Sequence, residues 1–170
     1  MLKVFYPDED IASAYEIPFE RLYGEGIRGV IFDIDNTLVP HGGPADERAK
    51  KLFSYLRGIG METCLLSNNK EPRVASFAQA VGGSHYIYKG SKPGIRGYQR
   101  AMELMGTDKR NTVFVGDQLF TDIWGARRAG IFSILVKPIH PKEEIQIVLK
   151  RFLEAVVLFF YQIEKKKRQV

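Results

Sequence analysis

The chain has 170 residues, 45% hydrophobic and 26% charged, a balance that fits one globular domain and excludes a disordered or collagen-like chain. Twenty-five Lys and Arg against 20 Asp and Glu give a formal charge of +5, but Lys165, Lys166, Lys167 and Arg168 nearly supply that excess, and no nucleic-acid motif accompanies it. The single cysteine, Cys64, excludes an internal disulfide framework and a cysteine-based zinc cluster.

Residues 1–26 form a lead-in. Met1 to Tyr6 turn polar at Pro7-Asp8-Glu9, with no apolar run and small-residue cleavage site of a secretory signal, so the chain is expected in the cytoplasm. The first strand is expected at 29–32, followed by a helix over 45–57. The second strand, 62–66, contains Cys64, which reads as a small core residue, and a helix follows over 73–81. A third strand at 85–88, a helix over 95–105, a fourth strand at 111–115, a helix over 121–129 and a fifth strand at 131–136 complete the series. Gly58, Gly82, Gly106 and Gly130 stand as stop signals behind the four helices.

Strand and helix alternate throughout, and the strands are too continuously apolar to face water on one side. This pattern predicts an α/β fold, a doubly wound, parallel five-stranded sheet with helices on both faces, in one domain spanning 1–170. In such sheets ligands bind beyond the carboxyl ends of the strands. The residues there are Asp33 and Asp35 after the first strand, Ser67 and Asn68 after the second and Asp117 after the fourth. Asp122 opens the next helix and Lys92 opens the one after the third strand. A carboxylate cluster without paired His or Cys suits a hard, oxygen-loving cation such as magnesium. His41, His85 and His140 have no spacing that ties them to a nucleophile.

The segment 141–168 carries apolar residues at helical spacing, Ile145, Leu149, Phe152, Val156, Phe159 and Ile163, and Leu153, Val157, Phe160 and Tyr161 widen the stripe. Two destinations stay open for this amphipathic helix and its basic tail: the sheet or a second copy of the chain, or peripheral contact with the cytoplasmic face of an anionic membrane.

The stretch Val30-Ile31-Phe32-Asp33-Ile34-Asp35-Asn36-Thr37-Leu38 resembles the first motif of the haloacid dehalogenase superfamily. Leu65-Leu66-Ser67-Asn68-Asn69, Lys92-Pro93 and Val113 to Asp122 resemble the second, third and fourth, in order. With Pro7-Asp8-Glu9, Glu16-Ile17 and the Ser67-Asn68-Asn69 triplet, the chain is similar to the YqeG family of subfamily IIIA phosphatases as far as about Pro138. The resemblance implies a magnesium-dependent phosphomonoester hydrolase. Asp33 would be the nucleophile that forms an aspartyl-phosphate, and Asp35 the general acid and base. Ser67, Asn68 and Lys92 would hold the phosphoryl group. The Asp33 carboxylate, the Asp35 carbonyl and the Asp117 carboxylate would hold Mg2+, with Asp122 behind them. It also implies phosphatidylglycerophosphate, a phospholipid precursor, as substrate.

About thirty residues separate Leu38 from Ser67, and about twenty-five separate Ser67 from Lys92. Neither interval has room for a large cap domain, so an open site is expected, one that a second protomer could cover. The alternatives are a phosphatase of another soluble or macromolecular phosphomonoester, and a phosphoacceptor signalling or binding module without turnover.

Overall fold

The computed structural model describes the backbone of residues 2–140 and 145–168 and the side chains of 2–140 and 150–167. The expected helix positions 141–144, and the side chains of Ile145 and Leu149, lie outside the described residues. In chain order the elements are β1 (Glu9–Ile11), α1 (Phe19–Gly24), β2 (Gly29–Phe32), α2 (Glu47–Gly58), β3 (Glu62–Leu66), α3 (Glu71–Ala80) and β4 (His85–Ile87). There follow α4 (Arg96–Met105), β5 (Thr112–Gly116), α5 (Trp124–Arg128), β6 (Phe132–Val136) and α6 (Ile145–Arg168). Short 3-10 turns precede and follow β1, at Leu2–Phe5 and Ala14–Glu16.

The strands form one sheet in the order β1-β6-β5-β2-β3-β4, with every pairing parallel. Six strands stand where the sequence indicates five. The additional one, β1, is a three-residue edge strand, Glu-Asp-Ile, too short and too charged to show an apolar period. It is fastened through Asp8, whose carboxylate accepts from the amide and hydroxyl of Ser133 on β6.

Alternation along the strands sorts the core into two layers. Val30, Phe32, Leu65, Val113 and Val115 face α1, α2 and α3, packing on Phe19, Phe53 and Phe77. Ile31, Cys64, Leu66 and Phe114 face α4 and α5, packing on Tyr98, Ala101, Met105 and Ala126. Burying side chains of this size stabilises the fold by about 1.5–3 kcal/mol each. Cys64 is fully buried within the second layer, and burial pushes its thiol up to about 12.

The helix boundaries have local causes. Asp46 caps α2 by accepting from the Ala49 amide at 2.9 Å, satisfying one of the orphan donors of a helix start. The third helix begins before Pro72 rather than after it, because a proline in the first turn loses no hydrogen bond there. Gly106 ends α4 with φ +67°, a conformation that costs glycine nothing. The expected helix over 121–129 is divided: Leu119–Ile123 form a π-helical turn, and only Trp124–Arg128 are α-helical.

A third apolar cluster joins Leu119, Ile123, Leu135 and Val157, with Leu2, Phe5, Tyr6, Phe120 and Leu158 packed around it. It docks α6 on the body of the molecule. Asp10 of β1 fastens the far end, accepting from Tyr161 and Gln162 at 3.3 Å each and pairing with Lys165. Packing on the chain's own body is thus one fate of α6, but it uses only part of the stripe. Phe152, Leu153, Val156, Phe159, Phe160 and Ile163 remain exposed on the outward face.

Candidate active site

The loop after β2 is built around backbone bonds that leave its carboxylates aimed at the sheet's carboxyl edge. Asp33 continues the strand by donating its amide to Val115 at 2.9 Å. The chain then turns sharply: Thr37 and Leu38 donate to the Ile34 carbonyl, and Asn36, at φ +61°, donates to Val39. Asparagine tolerates that left-handed conformation better than most residues.

Lys92 stands at the centre of the site. Its ammonium lies 2.6 Å from Asp33 Oδ1 and 2.6 Å from Asp122 Oδ1, and all three groups are nearly or fully buried. Burial works against the charge on Lys92, but Asp122 and Asp33 outweigh it and hold the ammonium above its ordinary range. Lys92 belongs to the loop before α4, which starts only at Arg96, so it does not open that helix. Asn68 fixes the loop, accepting from the Lys92 amide at 2.8 Å and donating to the Lys92 carbonyl at 3.1 Å. Both ends of the Asn68 amide are therefore committed to backbone rather than held out toward a ligand.

Asp122 is fully buried on the π-helical turn, with its second oxygen accepting from the Gln118 amide at 3.1 Å. The wider turn swings it against β5, so closely that a Cβ at Gly116 would meet its carboxylate at 2.5 Å. The Tyr98 hydroxyl, 3.0 Å from the carbonyls of Thr121 and Asp122, holds the turn in place. π turns of this kind recur at functional sites.

Asp33, Asp117 and Asp122 each offer an oxygen within 4.8 Å of the others. Burial pushes Asp33 up to about 7; the charges of Asp122 and Asp35 add to the shift while Lys92 opposes it. Asp117 is raised well above the carboxylate range, by burial and then by Asp122 and Asp33. One Asp117 oxygen accepts from the Thr37 hydroxyl at 3.3 Å, while the other is buried with no partner. Mutual repulsion and an orphaned carboxylate oxygen are what a hard cation would relieve, and the donor set fits magnesium. Asp122, with both oxygens occupied, stands behind that position.

Asp35 is held differently. Its carboxylate accepts from the Gly42 amide at 2.8 Å, from Arg73 at 2.9 Å and from Asn69 at 3.2 Å. Burial would raise it, but these donors prevail and hold the carboxyl below its usual range. Ser67 is buried, with its oxygen accepting from the Asn69 amide at 3.1 Å, which leaves the hydroxyl proton available to a ligand.

Asp33, Asp35, Ser67, Asn68 and Lys92 line one cleft of about 390 Å³. Its opposite wall comes from α6: Lys150, Arg151 and Glu154 complete the lining, and Glu154 accepts from the Leu119 amide at 3.2 Å. No cap domain is present among the described residues, yet the site is less open than the intervals between motifs suggest. Sequence reasoning missed Asn69, Arg73, Arg151 and Glu154, and it gave no role to His41, which also lines the cleft. An arginine two residues into a helix, or one within an apolar stripe, carries no local mark of such a contact.

A parallel sheet with a carboxylate trio and a buried lysine at its carboxyl edge marks an α/β protein built to handle a phosphoryl group beside a hard cation. Residues 41–130 match the model of the haloacid dehalogenase-like hydrolases, and the chain belongs to that family. It is 36% identical over 160 residues to the probable phosphatase YqeG of Bacillus subtilis (strain 168), covering 93% of this chain and 92% of that protein. It is 27% identical over 163 residues to phosphatidylglycerophosphate phosphatase 1, chloroplastic/mitochondrial, of Arabidopsis thaliana, covering 89% of this chain but only 47% of that longer protein. Among solved structures, an uncharacterized protein of Listeria monocytogenes serotype 4b superposes with a TM-score of 0.55 at 20% identity, over 70% of this chain and 85% of its own. The cobalt-bound deoxy-D-mannose-octulosonate 8-phosphate phosphatase of Haemophilus influenzae gives 0.51 at 15% identity, over 67% and 80%. The chain is a phosphatase of the phosphoric monoester class.

Proposed function

We propose that the protein hydrolyses a lipid phosphomonoester of the phosphatidylglycerophosphate type through an aspartyl-phosphate on Asp33. The observation that carries the chemistry is the buried Lys92 ammonium, 2.6 Å from both Asp33 and Asp122, beside the unpartnered oxygen of Asp117. An Asp33 oxygen attacks phosphorus, and the ester oxygen leaves with a proton from Asp35. Asp35 then takes a proton from water as that water attacks the same phosphorus, releasing inorganic phosphate and restoring Asp33. Lys92 and the Ser67 hydroxyl bind the phosphoryl oxygens while Asn68 and Asp122 position Lys92, so fixed charge meets the transition state at no reorganisation cost. Magnesium, held by the carboxylates of Asp33 and Asp117 and by the Asp35 carbonyl, would supply electrophilic assistance and neutralise charge between nucleophile and phosphate.

The lipid reading rests on two supports. The Arabidopsis relative acts, by its name, on phosphatidylglycerophosphate. The outward face of α6 exposes Phe152 at 68% and Phe159 at 63%, with Lys165, Lys166 and Lys167 following on the same helix, a combination that suits an anionic membrane surface. No described helix is long and apolar enough to cross a membrane, so contact would be peripheral.

The test is phosphate release by wild type and Asp33→Asn from phosphatidylglycerophosphate, p-nitrophenyl phosphate and soluble sugar phosphates, with and without Mg2+. Multiple turnovers by wild type, a preference for the lipid and loss of at least about a thousandfold in the variant are expected. Equal release by both proteins would refute the nucleophile, and a single phosphorylation without cycling would favour a phosphoacceptor module. Faster release from a soluble ester than from the lipid would transfer the activity to that substrate.

A further inference from the structure

Arg151 belongs to two cavities. It lines the catalytic cleft together with Lys150, and it also lines a second, adjoining cleft of about 450 Å³ between α6 and the β1–β6 edge. Glu154 is likewise common to both clefts, and Asp117 of the carboxylate trio lines the second, so the two meet beside that trio. Away from this junction the walls are mostly apolar, formed by Ile11, Leu135, Val136, Pro138, Ala155 and Leu158, and are interrupted by Asp10, Lys137 and Gln162. The guanidinium is not satisfied at the junction: its Nε is buried without a partner, and its nearest carboxylate oxygen, on Asp117, is 3.9 Å away and itself unpartnered. A buried donor left unmade is costly, and an arginine fork is shaped for a phosphate or carboxylate group.

We propose that Arg151 reads a second anionic group of the substrate, a phosphodiester one short spacer away from the phosphomonoester at Asp33, and that the apolar cleft beneath α6 receives the first carbons of the acyl chains beyond it. The inference rests on the lipid reading above and specifies how such a substrate is recognised. Polarity runs in the required order along the continuous surface: Lys92 and Ser67 for the scissile phosphate, Arg151 with Lys150 at its shoulder for the next charge, then aliphatic side chains. Neither cation is needed for a simple ester, since the phosphoryl group already has Lys92 as its positive partner.

Three soluble probes separate these parts: p-nitrophenyl phosphate, the deacylated glycerophosphoglycerol phosphate, which keeps the diester, and a dihexanoyl phosphatidylglycerophosphate held below its micellar concentration. Using monomeric lipid removes any contribution from membrane binding. With the full-length, Mg2+-loaded protein, kcat/KM for each probe is measured in wild type, Arg151→Gln and Ala155→Trp. In Arg151→Gln, both diester-bearing probes are expected to lose at least about tenfold relative to p-nitrophenyl phosphate, mostly in KM. In Ala155→Trp, only the dihexanoyl probe is expected to lose relative to the other two. An equal loss on all three probes in Arg151→Gln would show that Arg151 serves the transferred phosphoryl group instead, and would overturn the proposal. Unchanged ratios in both variants, with wild type turning over the lipid, would overturn it while leaving the lipid reading intact. A wild type that cleaves p-nitrophenyl phosphate but neither diester-bearing probe would overturn both.

Discussion

Two aspartates two positions apart experience opposite environments. Asp33 is buried among like charges and pushed up to about 7, whereas three donors hold Asp35 below the ordinary range. Arg73 contributes to the second effect both as hydrogen-bond donor and as charge. Arg73→Met is therefore expected to raise the Asp35 carboxyl and, since Asp35 must carry its proton to release the ester oxygen, move the alkaline limb of the kcat/KM profile to higher pH, with kcat altered less than the position of the limb. A pH–rate profile on an alkyl phosphate, whose leaving oxygen needs that proton, checks this, and an unmoved alkaline limb would show that Asp35 does not govern it. Asp33, Asp35, Ser67, Lys92, Asp117 and Asp122 were legible from strand ends and motif spacing. The partners that tune them were not. Arg73 reaches Asp35 across 38 positions and Asn69 across 34, and nothing in the local pattern of either residue announces the contact.

At the scale of elements, the π-helical turn Leu119–Ile123 determines where Asp122 lies, and Gly116 makes room for it. Gly116→Ala would set a methyl 2.5 Å from the Asp122 carboxylate, and the turn is already pinned by Tyr98. The expected result is a loss of about 1–3 kcal/mol in stability, measured by chemical denaturation, with lower activity because Asp122 can no longer brace Lys92. Removing the brace itself, in Asp122→Ala, leaves a buried ammonium with one partner instead of two and should cost about 3 kcal/mol. Helix periodicity indicated an α-helix here because a single wide turn disturbs the 3.6-residue spacing too little to be seen. The edge strand β1 was invisible for another reason, since its three residues are defined by pairing with β6 rather than by apolar content. Helix α6 was legible as amphipathic, but the division of its stripe between body and solvent depends on Leu119, Ile123 and Leu135, which no property of the helix itself reveals. Replacing both Phe152 and Phe159 with Asp should reduce flotation with anionic vesicles at least about tenfold while p-nitrophenyl phosphate turnover persists. Undiminished flotation would remove that face from consideration as a membrane contact.

For the molecule as a whole, the site's electrostatics are linked to its stability. A carboxyl raised in the folded state binds a proton that the unfolded chain has already released. For Asp33 that window runs from the ordinary carboxyl value of 3.8 to about 7, and Asp117 is shifted in the same direction. Within the window the native state binds more protons, so stability is greatest at the acidic end and falls as pH rises through about 7. The thermal midpoint of the metal-free protein is accordingly expected to fall between pH 6 and pH 8. Asp33→Asn should flatten that slope, and saturating Mg2+ should raise the midpoint most at the alkaline end by binding the ionised form. Differential scanning calorimetry across this range tests all three outcomes, and a midpoint that climbs with pH in the metal-free wild type would contradict them.

The bond between Asp10 and Lys165 spans 155 positions, and it secures the helix that carries Arg151. During synthesis, the strands and loops bearing Asp33, Lys92 and Asp117 are therefore translated before the wall that completes their cleft. On the role proposed for Arg151, selectivity arrives after the capacity for chemistry. A chain ending before α6 would keep Asp33, Lys92 and Asp117 without the Arg151 guanidinium or the trough beneath the helix, and on that proposal it would lose its choice of ester before its capacity to bind a phosphoryl group.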